Sequence, residues 1–192
     1  CKHYMAYFQP ATNTYAPVER LRQVYEQALA HPRVVALAIG TRPDCVPDDV
    51  LDLLSELARR TFLSVEYGMQ TLHDRSLDWM NRGHRHAATV DAMQRSRGRG
   101  FAIGAHVIVG LPGESRDDIL ATARELARLE VDAVKIHNLY SVRDTRLTEQ
   151  VQRGEVRLAI RSKKFVWIED MIQLVESAAS CDLYSVLKRV DE

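Results

Sequence analysis

The sequence predicts an α/β fold with a parallel sheet, either flat or curled into part of a barrel. Three observations carry this. Short apolar runs alternate with amphipathic segments of helical period along most of the chain. Ile103, Val107, Ile108 and Val109 give one of these runs the continuous β-branched apolarity of a strand covered on both faces. Each run ends in a polar or glycine-bearing loop before the next helix, the grammar of βα units with right-handed crossovers. With 192 residues, 46% of them hydrophobic, the chain can build one sizeable core and is short for two.

The first strand is expected over residues 3–8, followed by a polar loop to residue 16. Pro17 opens a helix in which Val18, Leu21, Val24, Tyr25, Ala28 and Leu29 fall on one face. His31-Pro32 stops it. Residues 34–39 form the second strand, halted by Gly40-Thr41-Arg42-Pro43-Asp44. Pro47, Asp48 and Asp49 suit a first helical turn ahead of a buried stripe of Val50, Leu51, Leu54 and Leu57. The third strand covers 62–67 and ends in Gly68-Met69-Gln70. A short helix from residue 74 stops near Gly83, which suits a left-handed cap, and another spans 86–97. After the fourth strand the chain breaks at Gly110 and Gly113. Ser115 and Asp118 then have the spacing of a capping box at the head of a helix over 116–129. The fifth strand, 133–139, puts Lys135 and His137 on one face and Val134 and Ile136 on the other. Beyond Asp144 the pattern turns helical, over 147–153 and 162–179, and residues 182–192 are ambiguous.

Lysine plus arginine and aspartate plus glutamate both total 26, so no net charge recommends nucleic acid or a membrane surface. The three cysteines, Cys1, Cys45 and Cys181, are scattered and give neither a disulfide framework nor a Cys-x-x-Cys pair. That fits a reducing, cytoplasmic compartment. No apolar run approaches the ~20 residues of a membrane helix, and no signal-peptide pattern is seen. Opening on Cys1 suggests a natural protein that continues upstream. Gly-x-Ser-x-Gly, the Walker loop, His-Glu-x-x-His and Gly-x-Gly-x-x-Gly are all missing, which weakens hydrolase and nucleotidase readings.

Because every loop of interest follows a strand, the loops converge on one rim. Gln9, Thr12, Asn13 and Thr14 meet Thr41, Arg42 and Asp44, then Glu66 and Gln70, then His106, Gly110, Gly113 and Glu114. Such a set can hold a ligand with hydroxyls, an amino-acid head and a heterocycle. Carboxylates accept from hydroxyls or an ammonium, arginine pairs with a carboxylate, and glycine backbone borders a flat base. Plainer roles stay open. Glu66 can cap a helix or pair with Arg42, Asp44 can serve a turn, and His106 and His137 can be hydrogen-bonded sheet histidines. His84 and His86 lack a carboxylate or cysteine at metal-ligand spacing and read as a solvated loop. Residues 104–115 can be an ordinary strand-to-helix turn.

Six motifs in order, Tyr7-Phe8-Gln9 with Thr12-Asn13-Thr14-Tyr15, Gly40-Thr41-Arg42-Pro43-Asp44, Glu66-Tyr67-Gly68-Met69-Gln70-Thr71, Asn81-Arg82-Gly83-His84, the stretch 104–115, and Lys135-Ile136-His137, resemble the radical S-adenosylmethionine superfamily. The nearest groups are the elongator catalytic subunit, the oxygen-independent coproporphyrinogen oxidases and an uncharacterised bacterial family. The resemblance covers about residues 4–164. It implies a partial (β/α)6 barrel of the radical SAM type, strands two to six present, with a helical C-terminal extension. Its rim would hold S-adenosylmethionine against a [4Fe-4S] cluster. By the resemblance, Gln9 and Asn13 stand near the methionine amino group, Glu66 and Gln70 along the ribose and the methionyl moiety, and Arg42 at the carboxylate. Ile108, Gly110 and Glu114 border the adenine. In such enzymes the reduced cluster passes an electron to the sulfonium, and the 5′-deoxyadenosyl radical takes hydrogen from the substrate. The family holds its cluster with three cysteines of a Cys-x(n)-Cys-x-x-Cys loop after its first strand. Cys1 and Cys45 lack that spacing, so no metal site is expected in this chain. A fragment or truncated relative is implied, without the first strand and the cluster loop. Residues 181–192 do not continue the family pattern.

The expected organisation is a core over 1–144 and a helical extension of the same domain over 145–192. The expected function is the S-adenosylmethionine-binding part of a radical enzyme of unknown substrate, inactive alone. Two alternatives stand beside it: a non-catalytic part-barrel that binds a partner or itself through its open sheet edge, and an unrelated (β/α) enzyme using Glu66 or Glu114 as general base. The partners expected are a small-molecule cofactor and a second copy, with no membrane. RNA enters by family analogy only, since no basic and aromatic interleaving supports it.

Overall fold

A computed structural model describes residues 2–158 and 161–178. Five strands lie in chain order in one sheet: β1 (Tyr4–Phe8), β2 (Val34–Thr41), β3 (Phe62–Gln70), β4 (Ala102–Val109) and β5 (Ala133–Asn138). All four neighbouring pairs are parallel. The helices are α1 (Val18–Leu29), α2 (Asp48–Ala58), α3 (Asp74–Trp79), α4 (His86–Ser96), α5 (Arg116–Arg128), α6 (Arg146–Gln152) and α7 (Arg161–Ala178). The ambiguous stretch 182–192 lies outside the described residues, as do Cys1 and Cys181.

Period-two alternation separates the faces of the sheet. Leu37, Ile39, Leu63, Val65, Tyr67, Ile103, Val107 and Val109 make one face and are buried with Leu21 and Tyr25 of α1, Leu51 and Leu54 of α2, and Ile119 and Leu126 of α5. The other face carries small residues in register across the middle strands: Ala38 beside Ser64 and Ser64 beside Ala102, then Gly40 beside Glu66 and Glu66 beside Gly104. A sheet with bulky side chains on one face and small ones on the other can curl toward the small face. One contact measures the curl. Lys135 Nζ on β5 donates to the Tyr7 hydroxyl on β1 at 3.0 Å, and sits 4.8 Å from the ring centroid. In a flat sheet four strand spacings would hold these strands ~19 Å apart, beyond the reach of two side chains. Of the two arrangements expected, the curled one is present.

Helix starts follow local chemistry. The capping box is formed: Asp118 N–H donates to Ser115 Oγ at 3.3 Å, and Asp118 Oδ2 accepts from Ser115 N–H at 2.8 Å. Three boundaries differ from expectation by more than one residue, and at one of them α3 ends at Trp79, short of Gly83. β2 continues to Thr41 and is followed by a short 3-10 turn over Pro43–Cys45, where a plain loop was expected. Its support is tertiary, since the Thr14 hydroxyl meets Thr41 Oγ1 and the Cys45 carbonyl, both at 2.5 Å. β3 runs on through Gly68 to Gln70 because its pairing with β4 shifts between Tyr67 and Gln70, and Gln70 takes a φ of +68°. Such an irregularity re-aims a side chain at the end of a strand without changing the apolar pattern. At the far end α7 packs on α5 through buried Met171 and Val175, with Arg116 Nε donating to Asp170 at 2.7 Å.

The core and the cap predict losses of different size. Leu54, fully buried, should cost about 3 kcal/mol as Leu54→Ala. Ser115→Ala should cost about 1 kcal/mol. Urea unfolding of both variants checks the ranking.

Candidate functional site

The strand ends divide into a region used for structure and a region left open. After β1, Asn13 Nδ2 donates to the carbonyls of Phe8 at 2.8 Å, Pro10 at 3.0 Å and Gly40 at 2.8 Å, while its own carbonyl accepts from the Tyr25 hydroxyl at 2.6 Å. Asn13 therefore staples the loop between β1 and α1, and Gln9 beside it is exposed. Arg42 forms a bidentate pair with Asp44, at 2.9 and 2.5 Å, and also donates to the Gly83 carbonyl at 3.3 Å. That pairing holds the Asp44 carboxyl below the usual carboxylate range. Glu114 is turned inward, accepting from Thr71 Oγ1 at 2.7 Å, and ties the loop after β4 to the end of β3. Gly110 and Gly113 in that loop take φ values of +90° and +79°, a conformation that favours glycine.

The open region lies over β3, β4 and β5. A hollow of about 310 Å³ is lined by Gln70, His106, Ile108, His137, Asn138 and Tyr140. Two residues expected at the site, Gln70 and Ile108, thus share one wall. Glu66 does not pair with Arg42. Its Oε2 accepts from the Tyr7 hydroxyl at 2.6 Å and from His106 Nε2 at 2.5 Å, and His106 Nδ1 meets His137 Nε2 at 3.1 Å. Gly104 makes room beneath, since a Cβ there would stand 3.1 Å from Glu66 Cγ. Burial opposes the charge on Glu66, but the bonds from His106 and Tyr7 and the charges of His106 and Lys135 outweigh it, so the carboxyl is held below its ordinary range. Burial, then the bond to Glu66, raises the Tyr7 hydroxyl.

Arg82 is a residue the sequence reading quoted within a motif but gave no role. Its Nη2 donates to the Gly68 carbonyl at 3.3 Å, its Nε is buried without a partner, and no carboxylate among the described residues pairs with it. Burial and then the nearby Arg42 charge push its pKa down. A Cβ at Gly68 would lie 2.2 Å from Arg82 Nη2 and 2.7 Å from Gln70 Nε2, so glycine is what lets these two side chains meet there. The nearby histidines correct an expectation. His84 is 8% exposed, and His86 bonds Glu125 at 2.8 Å and takes an Asp74 carboxylate on its N–H at 2.8 Å, so neither sits in a solvated loop. The partners of His86 come from α3 and α5, which residue spacing could not show, while His84 Nδ1 meets the neighbouring Arg85 carbonyl at 3.3 Å.

A second hollow of about 620 Å³ is walled by the loops after β1 and β2, with Tyr15, Asp44, Cys45, Val46 and Arg95 among its residues. None of the expected cofactor-binding residues line it. Among the described residues no group of three or more His, Cys, Asp or Glu is placed to hold a metal ion, and no helix is long and apolar enough to cross a membrane. Burial raises the thiol of Cys45.

The family model of the Radical SAM superfamily matches residues 3–126. A second, that of type I GTP cyclohydrolase FolE2, matches residues 119–192. The uncharacterised protein YtqA of Bacillus subtilis is 41% identical over 184 residues, 96% of this chain and 53% of that protein. GTP cyclohydrolase FolE2 of Desulfosudis oleivorans is 93% identical over 41 residues, 21% of this chain and 16% of that enzyme. Among solved structures, Elp3 of the archaeon Methanocaldococcus infernus superposes with a TM-score of 0.74 at 22% identity, over 88% of this chain and 45% of that one. Coproporphyrinogen III oxidase (HemN) of Escherichia coli, a radical SAM enzyme, gives 0.71 at 18% identity, over 91% and 40%. The chain spans about half the length of the first curated relatives it matches. With well over half of its residues matched by the family model and five parallel strands curled into the same half-barrel, the chain belongs to the radical SAM superfamily.

Proposed function

We propose that the open region of the rim binds S-adenosylmethionine, as the S-adenosylmethionine-binding portion of a radical SAM enzyme, and that this chain alone does not generate the radical. The observation that carries the reading is the convergence of Gln70 and Ile108 on one cavity, with Glu66 bonded to His106 of the same wall and Arg82 meeting Gln70 over Gly68. Ile108 and the Gly110 backbone offer a flat apolar border for adenine. Glu66 keeps Oε1 for ribose hydroxyls while Oε2 holds Tyr7 and His106. The methionine carboxylate falls to Arg82 rather than Arg42, because Arg42 is already neutralised by Asp44 whereas Arg82 is desolvated and lacks an anion. Gln9 faces the amino group, with Asn13 fixing its loop and Glu114 bracing the adenine loop from behind.

When bound, the [4Fe-4S] cluster of this family supplies the electron that cleaves S-adenosylmethionine. The described residues do not fit it: they include no three-thiolate set, and Cys45 stands away from the cavity wall. The 41-residue likeness to FolE2 covers too little of that enzyme to carry its reaction, so no cyclohydrolase activity is proposed. A second reading, a module that associates through its sheet edge, is favoured by β1, where Tyr4 and Met5 are 45% and 43% exposed.

Calorimetric titration should show S-adenosylmethionine binding, weakened at least tenfold, about 1.4 kcal/mol, by Arg82→Ala and less than threefold by Arg42→Ala. No heat at millimolar ligand overturns the reading. Incubation with iron, sulfide and reductant should leave no stoichiometric, cysteine-dependent cluster; one that formed would refute the second half of the proposal. The charge on Glu66 also predicts a pH dependence. Its folded pKa is depressed, so the unfolded chain takes up its proton first as pH falls. The stability it supplies is complete above the unfolded value of about 4.3 and is lost as pH drops from there through the folded value. Between pH 6 and pH 3, urea unfolding should therefore show a larger loss for the unmodified chain than for Glu66→Gln.

A further inference from the structure

The inner face of the half-barrel carries a continuous row of hydrogen-bonding groups, of which Glu66 alone has a part in the proposed cofactor binding. It runs from Lys135 Nζ to the Tyr7 hydroxyl at 3.0 Å, to Glu66 Oε2 at 2.6 Å, to His106 Nε2 at 2.5 Å, and from His106 Nδ1 to His137 Nε2 at 3.1 Å. The two imidazole centroids are 5.1 Å apart, and both rings line the 310 Å³ cavity. Among the described residues, the row's own members come from β1, β3, β4 and β5, and Tyr140 is the further titratable group that lines the cavity with the two histidines.

We propose that Glu66, His106 and His137 form a proton relay that makes His137 Nδ1 the proton donor and acceptor for a ligand with a basic nitrogen or oxygen held in the cavity. The hydrogen-bond rules fix the states. An ionised carboxylate only accepts, so His106 Nε2 carries a proton in every state and donates it to Glu66. His106 Nδ1 is then the variable position. When it is protonated, His106 is an imidazolium and donates to His137 Nε2, which leaves the proton of a neutral His137 on Nδ1. Among the described residues nothing bonds His137 Nδ1, so that nitrogen is the one available to the cavity. Proton delivery breaks the His137 Nδ1–H bond and forms a bond from that proton to the ligand atom. At the same time the His106 Nδ1–H bond breaks and a His137 Nε2–H bond forms. The positive charge leaves His106 and appears on the protonated ligand; no electron changes hands.

Both end states keep every hydrogen bond of the row, with only the direction of the His106 to His137 bond reversed, so no side chain has to move. His137 is neutral in both. Burial first, and then the charges of His106 and Lys135, push its pKa below the ordinary value, which agrees with a group that passes protons without holding the charge. Glu66 and His106 are positioning residues in this scheme, and His137 touches the ligand.

The relay rests on the proposed function in sharing its cavity and Glu66 with that site, but its test uses no adenosylmethionine, so the two readings fail separately. In the unmodified chain with nitrogen-15 histidine, two-bond nitrogen–proton correlations read each tautomer as pH is raised. His106 should lose its charge in the same transition in which His137, neutral throughout, changes from Nδ1–H to Nε2–H. In Glu66→Gln, which keeps the acceptor oxygen and removes the charge, the two changes should move together to lower pH. Diethyl pyrocarbonate attacks a ring nitrogen with a free lone pair, so mass spectrometry should find His137 modified at least tenfold faster above the transition than below it. The relay is overturned if His137 acquires its own positive charge, keeps one tautomer while His106 titrates, or reacts equally on both sides. The tautomer measurement needs no variant, so a Glu66→Gln chain that failed to fold would leave that result decisive.

Discussion

The hydrogen bond between Lys135 on the last strand and Tyr7 on the first is the constraint from which the rest of this structure follows. Two strands separated by three others can share a bond only if the sheet curls. The curl sets a size rule for the inner face. Ala38, Gly40, Ser64, Ala102 and Gly104 occupy its middle, and the larger polar groups arch over them from the flanks. At Gly104 the rule is tight, because the Glu66 side chain lies where a Cβ would stand. The outer face has the opposite demand and takes Leu, Ile, Val and Tyr against the helices. The same bending turns strand ends that follow one another along the sequence into a single mouth. Closure, core and site are therefore one arrangement.

Closure also explains why a charged row is stable on the inner face. A carboxylate partly removed from water is costly unless its lone pairs are satisfied and a countercharge stands near. Glu66 has two donors on one oxygen and Lys135 and His106 within the same row. These groups come from β1, β4 and β5, and a flat sheet would hold β1 away from the other two. Outer-surface pairs such as Arg22 with Glu56, where both side chains are more than 40% exposed, are screened by water and add little.

What could be read in the sequence divides along the same line. The strands, the helices and the Ser115 capping box were legible because their signals are local: period two, period 3.6 and a three-residue spacing. The order of the loops on one rim followed from βα grammar alone. The partners of Glu66 were not legible. Tyr7 lies 59 residues away and His106 40; His106 arrives through the pairing of β3 with β4, and the curl brings Tyr7 on β1 within reach of Glu66 on β3 and Lys135 on β5. Arg82 was hidden for a related reason. Its meaning lies in lacking a carboxylate, and an absence of partners is a property of packing. Asn13 and Arg42 lie in the loops that follow β1 and β2, and their hydrogen-bonding capacity is taken up by backbone carbonyls, Gly40 among them, and by Asp44. The partners of His86 came from other elements, beyond what spacing along the chain reports.

The join between the two matched stretches follows from the physics of helix packing. The radical SAM match ends within α5 and the FolE2 match begins there, so α5 is the helix on which both meet. On its inner side α5 buries Ile119, Ala123 and Leu126 against the sheet. On another side it receives α7 through Met171 and Val175 and the Arg116 to Asp170 pair. Helix-on-helix docking asks only for an apolar stripe of suitable period and one or two compatible charges at its edge. That is a weak requirement beside the register and size rules of the curled sheet. A barrel helix can thus accept a partner helix that resembles part of another family without disturbing the inner face. The separation assigns meaning to each likeness: similarity at α7 speaks to what covers the barrel, and the radical SAM likeness speaks to the barrel itself.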